Sequence, residues 1–162
     1  MNSNRLAYLL ALLIPAALLG GALIAQYVYG LPPCEMCWWQ RYPHIVALVL
    51  AALAWGTRRD ALVALAAIAI LVSGVIGAFH AGVEYNWWEG LTACTANASA
   101  GNDPLASIMA APIVRCDVAP WTLGGVSLAG FNFLISTAAG VAILVLIRRR
   151  ARKADLARKK GR

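Results

Sequence analysis

A chain of 162 residues that is 61% hydrophobic and 13% charged, with a mean hydropathy of +0.69, belongs in a bilayer. That excludes an ordinary water-soluble domain. The net charge of +7 hints at nucleic acid, but the basic residues flank apolar runs, where topology and contact with anionic lipid account for them.

Residues 6–29 form the first apolar run, long enough to cross a membrane at about 20 residues. A signal-peptide core is typically about 7–15 residues, so this run reads as a retained span. Gly20, Gly21 and many alanines suit close helix packing in lipid. Tyr27 and Tyr29 mark an interface, and Leu31-Pro32-Pro33 a short stiff loop. The second run carries no charge over 42–57 and is short. It reaches spanning length, as a span over about 38–56, only if its helix starts near Cys34-Glu35-Met36-Cys37. Thr57-Arg58-Arg59-Asp60 makes a tight connection to the third span, 61–83, which holds Gly74, Gly77 and Gly82. An aromatic edge, Tyr85 to Trp88, follows it.

Residues 84–121 form a long outer loop with Cys94 and Cys116. Within it Asp103 is a good N-cap and Pro104 a good first-turn residue, with Leu105, Ile108, Met109 and Pro112 at helical spacing. This predicts a short amphipathic helix on the membrane surface, with an irregular loop as the alternative. The fourth span covers 122–147, and 148–162 is a basic tail. The expected fold class is an all-α integral membrane four-helix bundle, one domain over 1–162, with a long outer loop between spans three and four.

With four spans, 12 of the 14 basic residues fall on one side; only Arg41 and Arg115 fall on the other. The positive-inside rule then puts both termini in the cytoplasm and both longer loops outside. All four cysteines lie outside, where disulfides persist in a bacterium-like envelope. Of the three pairings they permit, 34–37 with 94–116 is the simplest.

Cys-x-x-Cys is the usual spacing of redox-active dithiols. Cys34, Cys37, Arg41 and His44 follow at intervals of three, four and three, so they share one helix face. A helix N-terminus and the Arg41 charge favour a thiolate, while Glu35 opposes it. A zinc site needs a second knuckle, and Cys94 and Cys116 are too far apart in sequence to make one. A c-type haem needs His after the second cysteine, where Trp38 stands. No metal is expected. His44 reads first as a helix-contact residue and second as a cofactor contact. His80 and Glu84, four apart, read first as a pair that lowers the cost of burying polar groups and second as proton handlers. Trp121, five residues after Cys116, reads as a belt residue or as lining a binding site.

Taken together, these residues resemble the disulfide bond formation protein B (DsbB) family, inner-membrane thiol:quinone oxidoreductases. The resemblance rests on four spans, inward termini, Cys34-x-x-Cys37 followed by Arg41, Cys94 and Cys116 in a longer second loop, and Trp121 leading into span four. It implies a protein of the bacterial inner membrane that reoxidises a DsbA-like periplasmic thioredoxin-fold partner and passes two electrons to ubiquinone or menaquinone. On that resemblance, Cys94 takes the partner's attack and Cys116 pairs with it and relays to Cys34. Cys37 faces the quinone, and Arg41 holds its oxygen. By position, His44 and Trp121 are further candidate contacts to the cofactor. DsbA-type proteins are strong oxidants at about −120 mV, so the acceptor must be more oxidising still; a quinone is, and a thiol pool is not. The alternatives are a quinone reductase resembling vitamin K epoxide reductase, whose dithiol comes late in the chain, and a non-enzymatic metal-binding membrane protein.

Overall fold

The computed structural model describes residues 3–92 and 114–161, with side chains from Arg5 onward. Among these residues there are four helices: α1 (Ser3–Tyr27), α2 (Glu35–Thr57), α3 (Asp60–Glu84) and α4 (Leu128–Lys160). A two-stranded hairpin, β1 (Thr122–Leu123) and β2 (Val126–Ser127), precedes α4. Helix α3 packs against α2 and α4, and α1 closes the bundle against the same two.

Helices α1, α3 and α4 are each long and apolar enough to cross a membrane. Helix α2 has the length, at 23 residues, but Gln40, Arg41 and His44 dilute its outer half. All three are buried, as intramembrane polar residues must be if they are to find partners. The helices form the expected all-α membrane bundle.

One half of the bundle is packed by small residues. Ala7, Ala11, Ala47, Ala51, Ala54, Ala66 and Ala67 are all buried there, with Val63, Ile70 and Ile143 between them. At Gly140 an added Cβ would sit 2.5 Å from Leu71 Cγ and 3.1 Å from the Ala67 carbonyl. Close backbone approach, rather than bulky side chains, holds helices together where lipid competes for apolar surface.

Three boundaries differ from expectation. Cys34 is the N-cap of α2 instead of part of its first turn: its backbone is extended and its sulfur accepts from the Cys37 N–H at 3.2 Å. Helix α4 begins at Leu128, not 122, because Gly124 and Gly125 take left-handed φ values of +57° and +79° and turn the chain into the hairpin. Ser127 then caps the helix by accepting from Gly130 N–H at 3.1 Å. The basic tail continues α4 without a break to Lys160. Cys94 and the amphipathic segment over 103–112 lie outside the described residues.

Tyr85 ties the end of α3 to the hairpin. Its hydroxyl donates to the Gly125 carbonyl at 2.8 Å and accepts from Ser127 N–H at 2.8 Å. The Trp88 indole folds back over Gly82, where any Cβ would meet the ring at 2.0 Å, and donates to the Phe79 carbonyl at 3.0 Å. Two residues of the aromatic edge thus dock the chain over the cysteine-bearing end.

Candidate active site

Cys34 and Cys37 are thiols whose sulfurs lie 2.9 Å apart at the mouth of the bundle, ahead of the lipid-crossing part of α2. Cys34 donates the hydrogen bond; this and its burial push its pKa well above the usual thiol range. Accepting that bond, together with one from the Cys34 backbone N–H, pulls Cys37 below it. The Glu84 charge opposes ionisation of both sulfurs, and the Arg41 charge favours it at Cys37. Sequence pointed to Glu35 as the opposing acid. Glu35 is exposed, whereas Glu84 is buried beside the pair at the end of α3.

Cys116 is disulfide-bonded and fully buried. It shares one apolar cluster with Cys34, Met36 and Val83, and Cys37 packs against that cluster. Thr92 Oγ1 donates to the Cys116 sulfur at 3.5 Å. The long loop therefore brings a cysteine of the second pair beside the first.

His80 Nε2 lies 3.5 Å from Cys34 Sγ and 3.8 Å from Glu84 Oε1. Its other nitrogen, Nδ1, is 2.8 Å from Gln40 Nε2. From there a buried chain runs down the bundle. Gln40 Oε1 accepts from Asn132 Nδ2 at 2.8 Å, and Asn132 Oδ1 faces His44 Nε2 at 2.9 Å. Ser73 and Ser136 close it from α3 and α4. Cys34, Cys37 and His80 offer donor atoms within 4.8 Å of one another, a metal-like cluster. The Gln40 amide donates to Nδ1, however, so the neutral ring carries its proton on Nε2 and presents N–H, not a lone pair, to the sulfur. His80 thus faces Cys34 as a hydrogen-bond donor.

Beside the dithiol, α1, α2 and α4 enclose a mainly apolar groove of about 230 Å³. Cys37, Arg41 and His44 line it from one face of α2, as their spacing anticipates. Arg41 is held against α1, donating to Gln26 Oε1 at 2.6 Å and to the Ala22 carbonyl at 3.3 Å, and it stacks over the Trp38 ring at 4.8 Å. Trp121 does not line the groove. It precedes the hairpin rather than lying in α4, is 41% exposed, and leans on Phe131, which with Pro120 does line the groove.

Gln40 and Asn132 are residues that the sequence argument passed over. Each is an amide inside an apolar helix, which alone marks a functional or structural polar contact in a membrane. Their partners, 92 positions apart, emerge only from the packing.

A family model described as disulfide bond formation protein DsbB matches residues 4–146. Among curated relatives, a disulfide bond formation protein B from Polaromonas sp. (strain JS666) is 34% identical over 85% of this chain and 86% of its own. Those of Polaromonas naphthalenivorans and Verminephrobacter eiseniae are 32% and 31% identical, each over 85% of this chain and over 87% and 82% of their own. No solved structure matches significantly.

Proposed function

The chain belongs to the disulfide bond formation protein DsbB family, and from that premise we propose that it is a thiol:quinone oxidoreductase of a bacterial inner membrane. It reoxidises a DsbA-like thioredoxin-fold dithiol protein in the periplasm and passes the electron pair to ubiquinone or menaquinone. Both termini lie in the cytoplasm. The observation that carries the proposal is the Cys34–Cys37 dithiol opening onto a groove that Arg41 and His44 also line.

The residues fit a quinone ring. The groove is smaller than the ~300–1,000 Å³ of sites that enclose a drug-sized ligand, so it takes one ring and leaves an isoprenoid tail to lipid. Arg41 is a fixed donor there, and His44 Nδ1 is a buried polar atom with no partner among the described residues. A bound quinone supplies a sink for two electrons and two protons. The chain's residues supply the rest. Arg41 donates to a ring oxygen and favours the negative charge that develops on it. Cys37, the more acidic sulfur, faces the groove as the nucleophile. His80 N–H steadies charge on Cys34 during exchange.

Upstream, a partner thiolate attacks Cys94 and forms a mixed disulfide, releasing Cys116 as a thiolate. Cys116 attacks Cys34 of an oxidised Cys34–Cys37 pair, which frees Cys37 as the thiolate. The partner's second thiolate then resolves the mixed disulfide and leaves as an oxidised protein, and Cys94 resolves the Cys116–Cys34 bond. One disulfide is made in the partner, and one dithiol is left at Cys34 and Cys37. The shared cluster of Cys34 and Cys116 supports this exchange.

The test is loss of quinone absorbance when reduced partner is supplied. Cys94→Ser and Cys116→Ser should stop it, while leaving a chemically reduced Cys34–Cys37 pair able to react with quinone. Full turnover in either variant would sink the relay. Reporter fusions at Arg59 and Arg150 should be cytoplasmic, and an external report from Arg150 would reverse the orientation.

A further inference from the structure

The hydrogen bonds beneath the dithiol decide which nitrogen of His44 carries its proton. Backbone carbonyls only accept, so they orient the two side-chain amides. The Ser73 carbonyl is 3.1 Å from Asn132 Nδ2, and the Met36 carbonyl is 3.2 Å from Gln40 Nε2. Each amide is fixed independently, and the 2.8 Å bond from Asn132 Nδ2 to Gln40 Oε1 agrees with both. Asn132 Oδ1 is then an acceptor. It takes the Ser136 hydroxyl at 2.8 Å and faces His44 Nε2 at 2.9 Å, so Nε2 carries the hydrogen.

Neutral His44 is left with a bare lone pair on Nδ1. That atom is buried and has no partner among the described residues, in a residue only 3% exposed that lines the groove. A buried acceptor without a donor is unfavourable, and native structures rarely leave one unmet.

A quinone ring carries only acceptors at its oxygens, so it offers nothing to that lone pair. A hydroquinone carries O–H donors. Arg41, a donor in every state, serves a ring oxygen of either form. We propose that His44 Nδ1 accepts a hydrogen bond from a ring hydroxyl, so that this chain's groove prefers the hydroquinone to the quinone and His44 is its specificity-determining residue. The inference rests on the groove being the quinone site and deepens that reading.

The chain has only two histidines, so ¹⁵N-histidine labelling of the full-length protein in detergent gives a readable spectrum, assigned with His80→Gln. The probe is a dimethoxy-methyl-benzoquinone with a short alkyl chain, and its hydroquinone. Hydroquinone is added to the dithiol form and quinone to the disulfide form, so that neither reacts. The His44 Nδ1 resonance should be that of an unprotonated nitrogen and should move upfield with hydroquinone but not with quinone. A protonated Nδ1, or equal shifts with both, would overturn the proposal. In equilibrium binding, His44→Phe should weaken the hydroquinone about tenfold, the loss of one hydrogen bond, and change quinone affinity less than about twofold. His44→Gln, which keeps an acceptor, should recover part of that loss. Equal loss of both forms would reduce His44 to shaping the groove. If the wild-type protein binds neither form, the quinone reading fails, and this one with it.

Discussion

The two halves of the bundle are held together by different forces. Away from the cysteines, α1, α2 and α3 meet through alanines, and α4 joins them at Gly140 and Ile143. Near the cysteines α2, α3 and α4 meet through Gln40, His44, Ser73, His80, Asn132 and Ser136, all buried and linked by hydrogen bonds. Small-residue packing works in lipid because backbones approach closely and no polar group needs a partner. A buried polar network is tolerated only when its groups are satisfied, and each departure from that marks chemistry. The two unpartnered buried side-chain atoms among the described residues, His44 Nδ1 and Glu84 Oε2, both lie in the polar half. On the proposed function, one half is scaffold and the other receives the ring and moves charge.

Within the helices, the comparison predicts that activity is lost only by changes in the polar half. Cys37→Ser should abolish quinone reduction outright, because no thiolate then faces the groove. Its melting temperature should stay near that of the wild type, since serine keeps the size and the helix N–H contacts are made to Cys34. Measurable turnover in this variant would mean that the groove is not where electrons leave.

Arg41→Ala comes next. Removing a preorganised donor typically costs about 10²–10³ in rate. Arg41 is bound to Gln26 and Ala22 on α1, so it is held in place before any ligand arrives. Quinone reduction should fall by about that factor, with a raised apparent KM, while exchange between the second cysteine pair and the partner stays unchanged. Arg41→Lys should recover part, since charge returns without the planar fork. Near-normal rates for Arg41→Ala would make Arg41 an interfacial anchor.

Much of this division is legible in the sequence, and its limits are instructive. Apolar runs reveal the helices because crossing lipid demands about 20 residues of apolar chain. The face shared by Cys37, Arg41 and His44 follows from helical spacing alone. The hairpin at 122–127 is hidden, because Leu123 and Val126 flank two glycines in what reads as a continuous apolar run. Its consequence, Trp121 leaning on Phe131 instead of lining the groove, is hidden with it. Glu84 rather than Glu35 bears on the dithiol because helix packing, not sequence distance, sets which acid is buried beside the sulfurs. Gln40 and Asn132 are visible as oddities in sequence, but only three-dimensional contact turns them into one network.

A matched pair of glycine substitutions sharpens the contrast. At Gly77 a new Cβ would lie 3.0 Å from Asn132 Nδ2, 3.0 Å from the Ala129 carbonyl and 3.1 Å from Gln40 Oε1, so Gly77→Ala presses on the polar chain itself. At Gly140 the Cβ meets Leu71 and the Ala67 carbonyl. Both overpack, at a typical cost of about 1–3 kcal/mol. Gly77→Ala should also slow quinone reduction about tenfold, since a shift of ~1.4 kcal/mol in the barrier is one order of magnitude. Gly140→Ala should lower the melting temperature and leave turnover of the folded protein intact. Equal effects on turnover would erase the functional distinction between the halves.

The smallest effect is expected at the far end of the scaffold half. There Asp60, the first residue of α3, accepts from the Tyr8 hydroxyl at 2.9 Å and pairs with Arg150 on α4. The pair joins three helices and looks structurally important, yet its side chains keep 34% and 40% of their exposure. Solvent at that depth screens the charges, and exposed ion pairs are worth about 0–1 kcal/mol. Asp60→Asn keeps an oxygen to accept from Tyr8 and removes only the charge. Its unfolding in a detergent titration should therefore shift by less than about 1 kcal/mol. Quinone reduction should be unchanged, because no hydrogen-bonded chain among the described residues runs from Asp60 to the groove. A large loss of activity without loss of fold would show that the two halves communicate, and that the alanine-packed half is more than a scaffold.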